Sequence, residues 1–439
     1  MKHLFAWQSG ARGVLILRAL LFCLPALWVT CTPMVEKRFA TTADVQRWRS
    51  EEAVRRAGAG RDCCREYLSY APDTLHLDHT PVKYIRVNFH IMNSADSSRN
   101  FAEAEGRKYV HELLRYATAN LERNRKMFLP PGNDTPVLPV RYRYVLTPAR
   151  HDGTDDGIYF HYDDTLSFYV VKGEDRNNHT RDVIRRYGIG TDSILNVFLM
   201  PHHPDSIASP TYKGTGCGIA LTDAVKLAGI FENDIPPWEA RKMLNHEIGH
   251  ILGLAHTWAY NDGCDDTPLN PGCWIRGEEP PCDSLASNNV MDYNVYQNAW
   301  TPCQIGKAHY AMSRLHSRVR RLVQPRWCVR HADRTIVVRD SVHWRGMKDL
   351  EGDLVIAEGG VLQISCRVSL PEGARIVVEP GGRLILDNCR LHNACGGQWL
   401  GIELQQKGKA RGELVFVGKP LLEDMQHPLS AADRIGSVE

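Results

Sequence analysis

From Val82 onward the chain alternates between two rhythms of apolar and polar residues. Tyr84-Ile85-Arg86-Val87-Asn88-Phe89-His90-Ile91 places an apolar side chain at every second position, the period of a half-buried strand. Glu103 to Phe128 instead spaces Val110, Leu113, Leu114, Ala117 and Leu121 along one face, which predicts a long amphipathic helix. Pro130-Pro131-Gly132-Asn133-Asp134 ends it. Strands are expected at Val140 to Leu146, Ile158 to Val171 and Ile194 to Met200. Pro236-Pro237 opens a second helix, at a point where a missing N–H removes no hydrogen bond. Beyond Val329 the rhythm shortens. Leu354, Ile356, Gly359-Gly360, Leu362 and Ile364 recur 22 residues later as Ile376, Val378, Gly381-Gly382, Leu384 and Leu386. Short strands and glycine turns at a fixed period predict stacked β coils, with a small β-sandwich as the competing reading.

A chain of 439 residues exceeds what one core serves and implies two or three domains. Its net charge of +2, without a dense basic stripe, excludes nucleic acid as a partner. Arg318-Val319-Arg320-Arg321 reads as a solvated helix face. The 13 cysteines change the picture more. Cys264, Cys273, Cys282 and Cys303 crowd a loop rich in Gly, Pro and Asp, which points to disulfides in an oxidising compartment. Lys2, Arg12 and Arg18 precede an apolar run from Ala19 to Val29, too short to span a bilayer but suited to a signal-peptide core. Cys31 follows at once and resembles an acylation site, although Trp28 and Thr30 stand where small residues are usual. The protein is therefore expected to be secreted or at the cell surface, touching a membrane only through a lipid on Cys31, as an outer-membrane lipoprotein would. Residues 35–80 are polar, with helical character from Thr42 to Arg56. Cys63-Cys64 within them is either a pro-segment thiolate that keeps a metal latent or a structural disulfide partner. The expected division is a signal peptide at 1–31, a pro-segment or spacer at 32–81, a catalytic domain at 82–329 and a repetitive β accessory domain at 330–439.

The chemistry concentrates in His246-Glu247-Ile248-Gly249-His250, followed by Gly253 and His256. Residues i and i+4 share a helix face, so His246 and His250 aim two imidazoles at one point. Gly253 lets the chain leave the helix in a conformation other residues resist, which brings His256 round as a third ligand. Three neutral imidazoles leave a fourth position open, as a catalytic zinc requires, whereas a structural zinc is closed by four protein ligands. Glu247 reaches the open position as a general base without ligating the metal.

These residues resemble the metzincin zinc signature. Asn289-Val290-Met291-Asp292-Tyr293 is similar to the metzincin Met-turn, with Met291 as a soft apolar floor and Tyr293 as a zinc ligand or oxyanion donor. His256-Thr257-Trp258, Cys264-Asp265-Asp266-Thr267-Pro268 and Trp300-Thr301-Pro302 narrow the resemblance to the pappalysin/cytophagalysin group, over residues 82–325. It implies an α+β catalytic domain with a twisted mixed sheet and an active-site helix, here followed by the small all-β, β-helix-like C-terminal domain. It also implies zinc, with calcium near the cysteine loop at Asp262, Asp265, Asp266 and Thr267; solvated turn carboxylates remain the alternative there. The disulfide pairing expected by this resemblance is Cys264–Cys282 and Cys273–Cys303. The resulting function is a zinc endopeptidase acting on protein or peptide substrates, with Gly216 to Leu221 as the substrate-binding edge strand. A surface binding or adhesion protein with a silent zinc domain is the alternative, and the presence of Glu247 and all three histidines weighs against it.

Overall fold

The structure, a computed structural model, describes residue 64 and residues 66–427, apart from 212–214, 258–261, 269–271, 276, 278 and 281. The expected signal segment with Cys31 and the helical pattern at 42–56 lie outside the described residues.

Six strands form the first sheet, β1 (Lys83–Asn93), β2 (Tyr142–Leu146), β3 (Ile158–Tyr162), β4 (Leu195–Met200), β5 (Cys217–Ala220) and β6 (Ala224–Ala228). Their order is β2-β1-β4-β6-β5, with β3 also on β1 beyond the end of β2. All pairings are parallel except β5 with β6, so the sheet is mixed, as expected. The first half of β1 alternates in burial; its second half is buried throughout, because both faces of a central parallel strand are covered. Helices α1 (Glu103–Glu122) and α2 (Pro237–Ile251) cover one face. Val110, Leu113 and Ala117 of α1 and Leu244 and Ile248 of α2 join Val87, Phe89 and Ile91 of β1 in a single core. The other face packs Met92, Phe198 and Met200 against Val183 and Ile184.

Two elements end earlier than the apolar pattern suggests. The helix expected to reach Phe128 stops at Glu122. Asn124 then donates to the carbonyls of Leu138 and Trp300, at 2.8 and 3.0 Å, and pulls the chain onto the loops beneath. The strand expected over Ile158 to Val171 stops at Tyr162. Asp163 accepts from the N–H groups of Thr165 (2.8 Å) and Leu166 (3.0 Å), an Asx turn that competes with the ladder.

The C-terminal region is a three-sided parallel β-helix, which overturns the sandwich reading. Its first coil holds β7 (Ile336–Val338), β8 (Ser341–Trp344) and β9 (Lys348–Asp349); its second, β10 (Leu354–Ile356), β11 (Val361–Ile364) and β12 (Arg367–Ser369); its third, β13 (Arg375–Val378), β14 (Arg383–Asp387) and β15 (Arg390–His392). In the fourth coil a hairpin of β17 (Gln406–Lys407) and β18 (Ala410–Arg411) interrupts the path from β16 (Gly401–Leu404) to β19 (Glu413–Val417) and β20 (Leu421–Leu422). The three sheets run β16-β13-β10-β7, β19-β14-β11-β8 and β20-β15-β12-β9. Leu354 pairs with Ile376 and Leu362 with Leu384, so the sequence repeat is the register of one coil on the next. Its glycine pairs have two jobs. Gly359 and Gly381 sit at φ 80° and 87°, and a side chain on Gly360 would lie 2.4 Å from the Val338 carbonyl of the coil below.

The β-helix is fastened to the catalytic domain. Disulfides join Cys328 to Cys395 and Cys64 to Cys366. Cys64 is therefore a structural partner and offers no thiolate to a metal. Residues 66–81 are built into the same junction. Tyr67 and Tyr70 stand edge-on to Tyr310 of α3 (Pro302–Ser313), and the His79 carbonyl accepts from Lys348 Nζ at 3.0 Å. At the centre of the junction lies the buried carboxylate of Asp349, on β9. It pairs with both guanidinium nitrogens of Arg320, with Arg367 Nη1 at 2.8 Å and with Lys83 Nζ at 3.7 Å. Burial pushes this carboxyl up, but Arg367, Arg320 and Lys83 together hold it well below the usual carboxylate range.

Removing this one anion leaves three cations uncompensated in the junction. Asp349→Ala is expected to destabilise the protein by about 3–5 kcal/mol in chemical denaturation. The same contribution is present above the pKa of an unfolded Asp, about 4, and is lost as pH falls below it.

Candidate active site

Helix α2 begins at Pro236-Pro237 and buries His246 and Glu247 near its C-terminal end. Gly253 follows at φ 88°, where the chain turns sharply. That turn delivers His256. The Nε2 atoms of His246, His250 and His256 stand 3.1 Å apart in all three pairings. Three tetrahedral ligands at about 2.0 Å from a zinc would be roughly 3.3 Å apart.

The remaining ring nitrogens decide the chemistry. His246 Nδ1 donates to the Val290 carbonyl at 2.8 Å, and His250 Nδ1 to the Leu254 carbonyl at 3.0 Å. A proton committed to each carbonyl leaves an Nε2 lone pair aimed at the common centre. Burial lowers the pKa of His246 to about 3, helped by His250, and that of His256 to about 4. The rings are thus neutral, in the state that binds a metal. These residues fit zinc.

Glu247 is also buried, and desolvation raises its carboxyl to about 8 against the N–H of Ala220. It lies against the edge strand: a side chain on Gly218 of β5 would come within 2.6 Å of Glu247 Cγ. The expected substrate strand is therefore at the sheet edge and beside the base. Tyr293, 58% exposed, places its ring 5.1 Å from that of His256 and 5.7 Å from that of His246. Its hydroxyl is raised by burial and by Glu247. Met291 is fully buried, so close to α2 that a side chain on Gly249 would lie 2.5 Å from Met291 Sδ.

Several residues that hold this site escaped the motif. Asn289 Oδ1 accepts from Met291 N at 2.8 Å and sets the turn. Gln297 Nε2 donates to the carbonyls of Asp292 (2.6 Å) and Val290 (3.2 Å), the second of which also receives His246. Thr257 donates to Asp292 and ties the segment after His256 to the Met-turn. Asn289 and Asp292 stood within the turn motif and Gln297 lies just past it, whereas Thr257 is 35 residues from Asp292.

The cysteine loop corrects one expectation. The disulfides are Cys264–Cys303 and Cys273–Cys282, not Cys264–Cys282 and Cys273–Cys303. Cys303 begins α3, where Asp266 accepts from Cys303 N (2.9 Å) and from the capping Thr301 hydroxyl (2.6 Å), and this draws Cys303 to Cys264. Of the acids expected near calcium, Asp262 and Asp266 accept from protein donors. Asp262 accepts from Cys264 N (3.0 Å) and Thr267 Oγ1 (2.8 Å), and Asp262, Asp265 and Asp266 form no cluster of their own among the described residues. The one group that includes Asp266 contains Cys264 and Cys303, whose sulfurs are bonded to each other.

Residues 211–313 match the sequence model of the family described as peptidase, Pregnancy-associated plasma protein-A. No curated protein matches the chain. Among solved structures it is similar to mirolysin in complex with compound 9, at 17% identity, covering 55% of this chain and 96% of that one with a TM-score of 0.40. It is similar also to mature mirolysin of Tannerella forsythia with a cleaved peptide, at 17% identity, 54% and 94% coverage and a TM-score of 0.37. A promirolysin mutant of the same organism is 14% identical, with 64% and 92% coverage and a TM-score of 0.39.

His250→Ala is expected to abolish stoichiometric metal binding, as read by elemental analysis of the purified protein. Gly249→Ala forces a methyl group onto Met291 and should lower stability by about 1–3 kcal/mol in thermal melts.

Proposed function

We propose that this chain, whose residues 211–313 match the peptidase family model described as Pregnancy-associated plasma protein-A, is an exported metzincin-type zinc endopeptidase with Glu247 as its general base. The observation that carries the reading is the convergence of three neutral imidazole lone pairs beside a buried carboxylate at a sheet edge.

Zinc held by His246, His250 and His256 would supply Lewis acidity to a water and to the scissile carbonyl. A cation held at the three histidines would favour the ionised form of Glu247, which then takes the proton of the attacking water and passes it to the leaving amine. Tyr293 donates its hydroxyl to the oxyanion. The outer edge of β5, which pairs only with β6 among the described residues, takes the substrate main chain as an added strand. Next to Glu247, Gly218 keeps that edge free of a side chain that would push the base aside.

Export is supported by the four disulfides among the described residues, which persist in oxidising compartments. The signal-like N-terminus supports it independently.

Digestion of a diverse peptide library, mapped by mass spectrometry, tests the reading. Cleavage at internal bonds is expected to vanish with 1,10-phenanthroline and in Glu247→Ala, the latter with its metal retained. Wild-type rates in Glu247→Ala would refute the assignment of the base. Tyr293→Phe is expected to lower kcat by roughly 10²-fold with little change in KM, the cost of one oxyanion donor.

A further inference from the structure

Behind the Met-turn lies an open cavity of about 370 Å³, lined by none of the three histidines. Tyr116 of α1, Arg123 and Arg125 just past its end, and Trp238 and Arg241 at the start of α2 line it. Buried hydrogen bonds link it to the active site: Asn120 donates to the Gln297 carbonyl at 3.1 Å, and Gln297 donates to the Val290 carbonyl that receives His246.

Three guanidinium groups share this cavity, and none has an ion pair among the described residues. The acids nearest in sequence are committed elsewhere. Glu122 Oε1 meets Arg143 at 2.7 Å, and Glu239 Oε1 meets Lys242 at 2.8 Å. A fourth cation, Arg115, lies 4.1 Å over the Tyr116 ring. Glu239 acts on Arg241 as well as on Lys242, but Arg123 and Arg125 have no ion pair among the described residues, and like charges gathered together favour the entry of an anion. Beside the unanswered arginines Trp238 remains 49% exposed.

We propose that this cavity is an exosite for an acidic peptide segment of the substrate, with carboxylates against Arg123, Arg125 and Arg241 and an apolar side chain against Trp238. The substrate class rests on the reading of the chain as an endopeptidase. A peptide suits the site because its carboxylates hang from a chain that can reach separate guanidiniums. It also brings an apolar group for the indole, which a free phosphate or a sulfated sugar lacks. Trp238 and Arg241 lie on the same helix as His246 and His250.

Fluorescence anisotropy with the full-length Glu247→Ala variant tests the proposal without any turnover, so a failed protease reading leaves it measurable. The probe is a labelled peptide with a run of four glutamates beside a phenylalanine, compared with its glutamine counterpart and with a heparin oligosaccharide. The glutamate peptide is expected to bind about tenfold more tightly than the glutamine one, and the difference should shrink as salt rises. Arg123→Gln/Arg241→Gln should erase the preference. Arg123→Gln/Arg125→Gln, at two exposed positions, should weaken it with the melting temperature unchanged, which separates lost charge from lost folding. Equal binding of the two peptides would overturn the proposal. So would tighter binding of heparin through the same arginines, since the occupant would then be a glycan.

Discussion

Everything at the active centre depends on where two ring protons go. An imidazole offers a metal its lone pair only if the other nitrogen keeps the proton, and here backbone carbonyls of Val290 and Leu254 hold it on Nδ1 of His246 and His250. The Leu254 carbonyl is local, supplied by the turn after Gly253. The Val290 carbonyl comes from a distant loop and exists in place only because Asn289, Gln297 and Asp292 brace that loop from several sides. The Met-turn therefore acts first as a hydrogen-bond acceptor and second as an apolar floor.

The same logic of enforced partners joins the two domains. A carboxylate with no water around it must be answered, and Asp349 is answered from both sides, by Arg320 and Lys83 of the catalytic domain and Arg367 of the β-helix. Its four charges bind the first coil to β1, whose later residues form the centre of the catalytic sheet. Two disulfides close the same junction from its edges, one of them through the N-terminal segment at Cys64. The β-helix thus stands as part of the scaffold that holds the sheet, rather than as a module on a tether.

Charge is handled differently at the surface. Three surface arginines of the β-helix face a glutamate on the neighbouring coil: Arg375 faces Glu403, Arg383 faces Glu413 and Arg390 faces Glu423. Behind the Met-turn, Arg123 and Arg125 have no ion pair among the described residues, and under the proposal the acid they meet belongs to another molecule.

The sequence by itself determined what short-range periodicity encodes. The ligand triad and its base follow from helix geometry across His246 to His256, and the coil register of the β-helix follows from a repeat that pairs Leu354 with Ile376. The tertiary structure alone decided features set by neighbours remote in the chain. Apolar periodicity carried the first long helix to Phe128, but Asn124 ended it by reaching Leu138 and Trp300. Cysteine spacing left several pairings open, and Asp266 chose among them by capping α3 and drawing Cys303 to Cys264. The polar side chains that orient the histidines carry no periodic signal, because a buried hydrogen bond depends on two groups meeting in space and not on their separation along the chain.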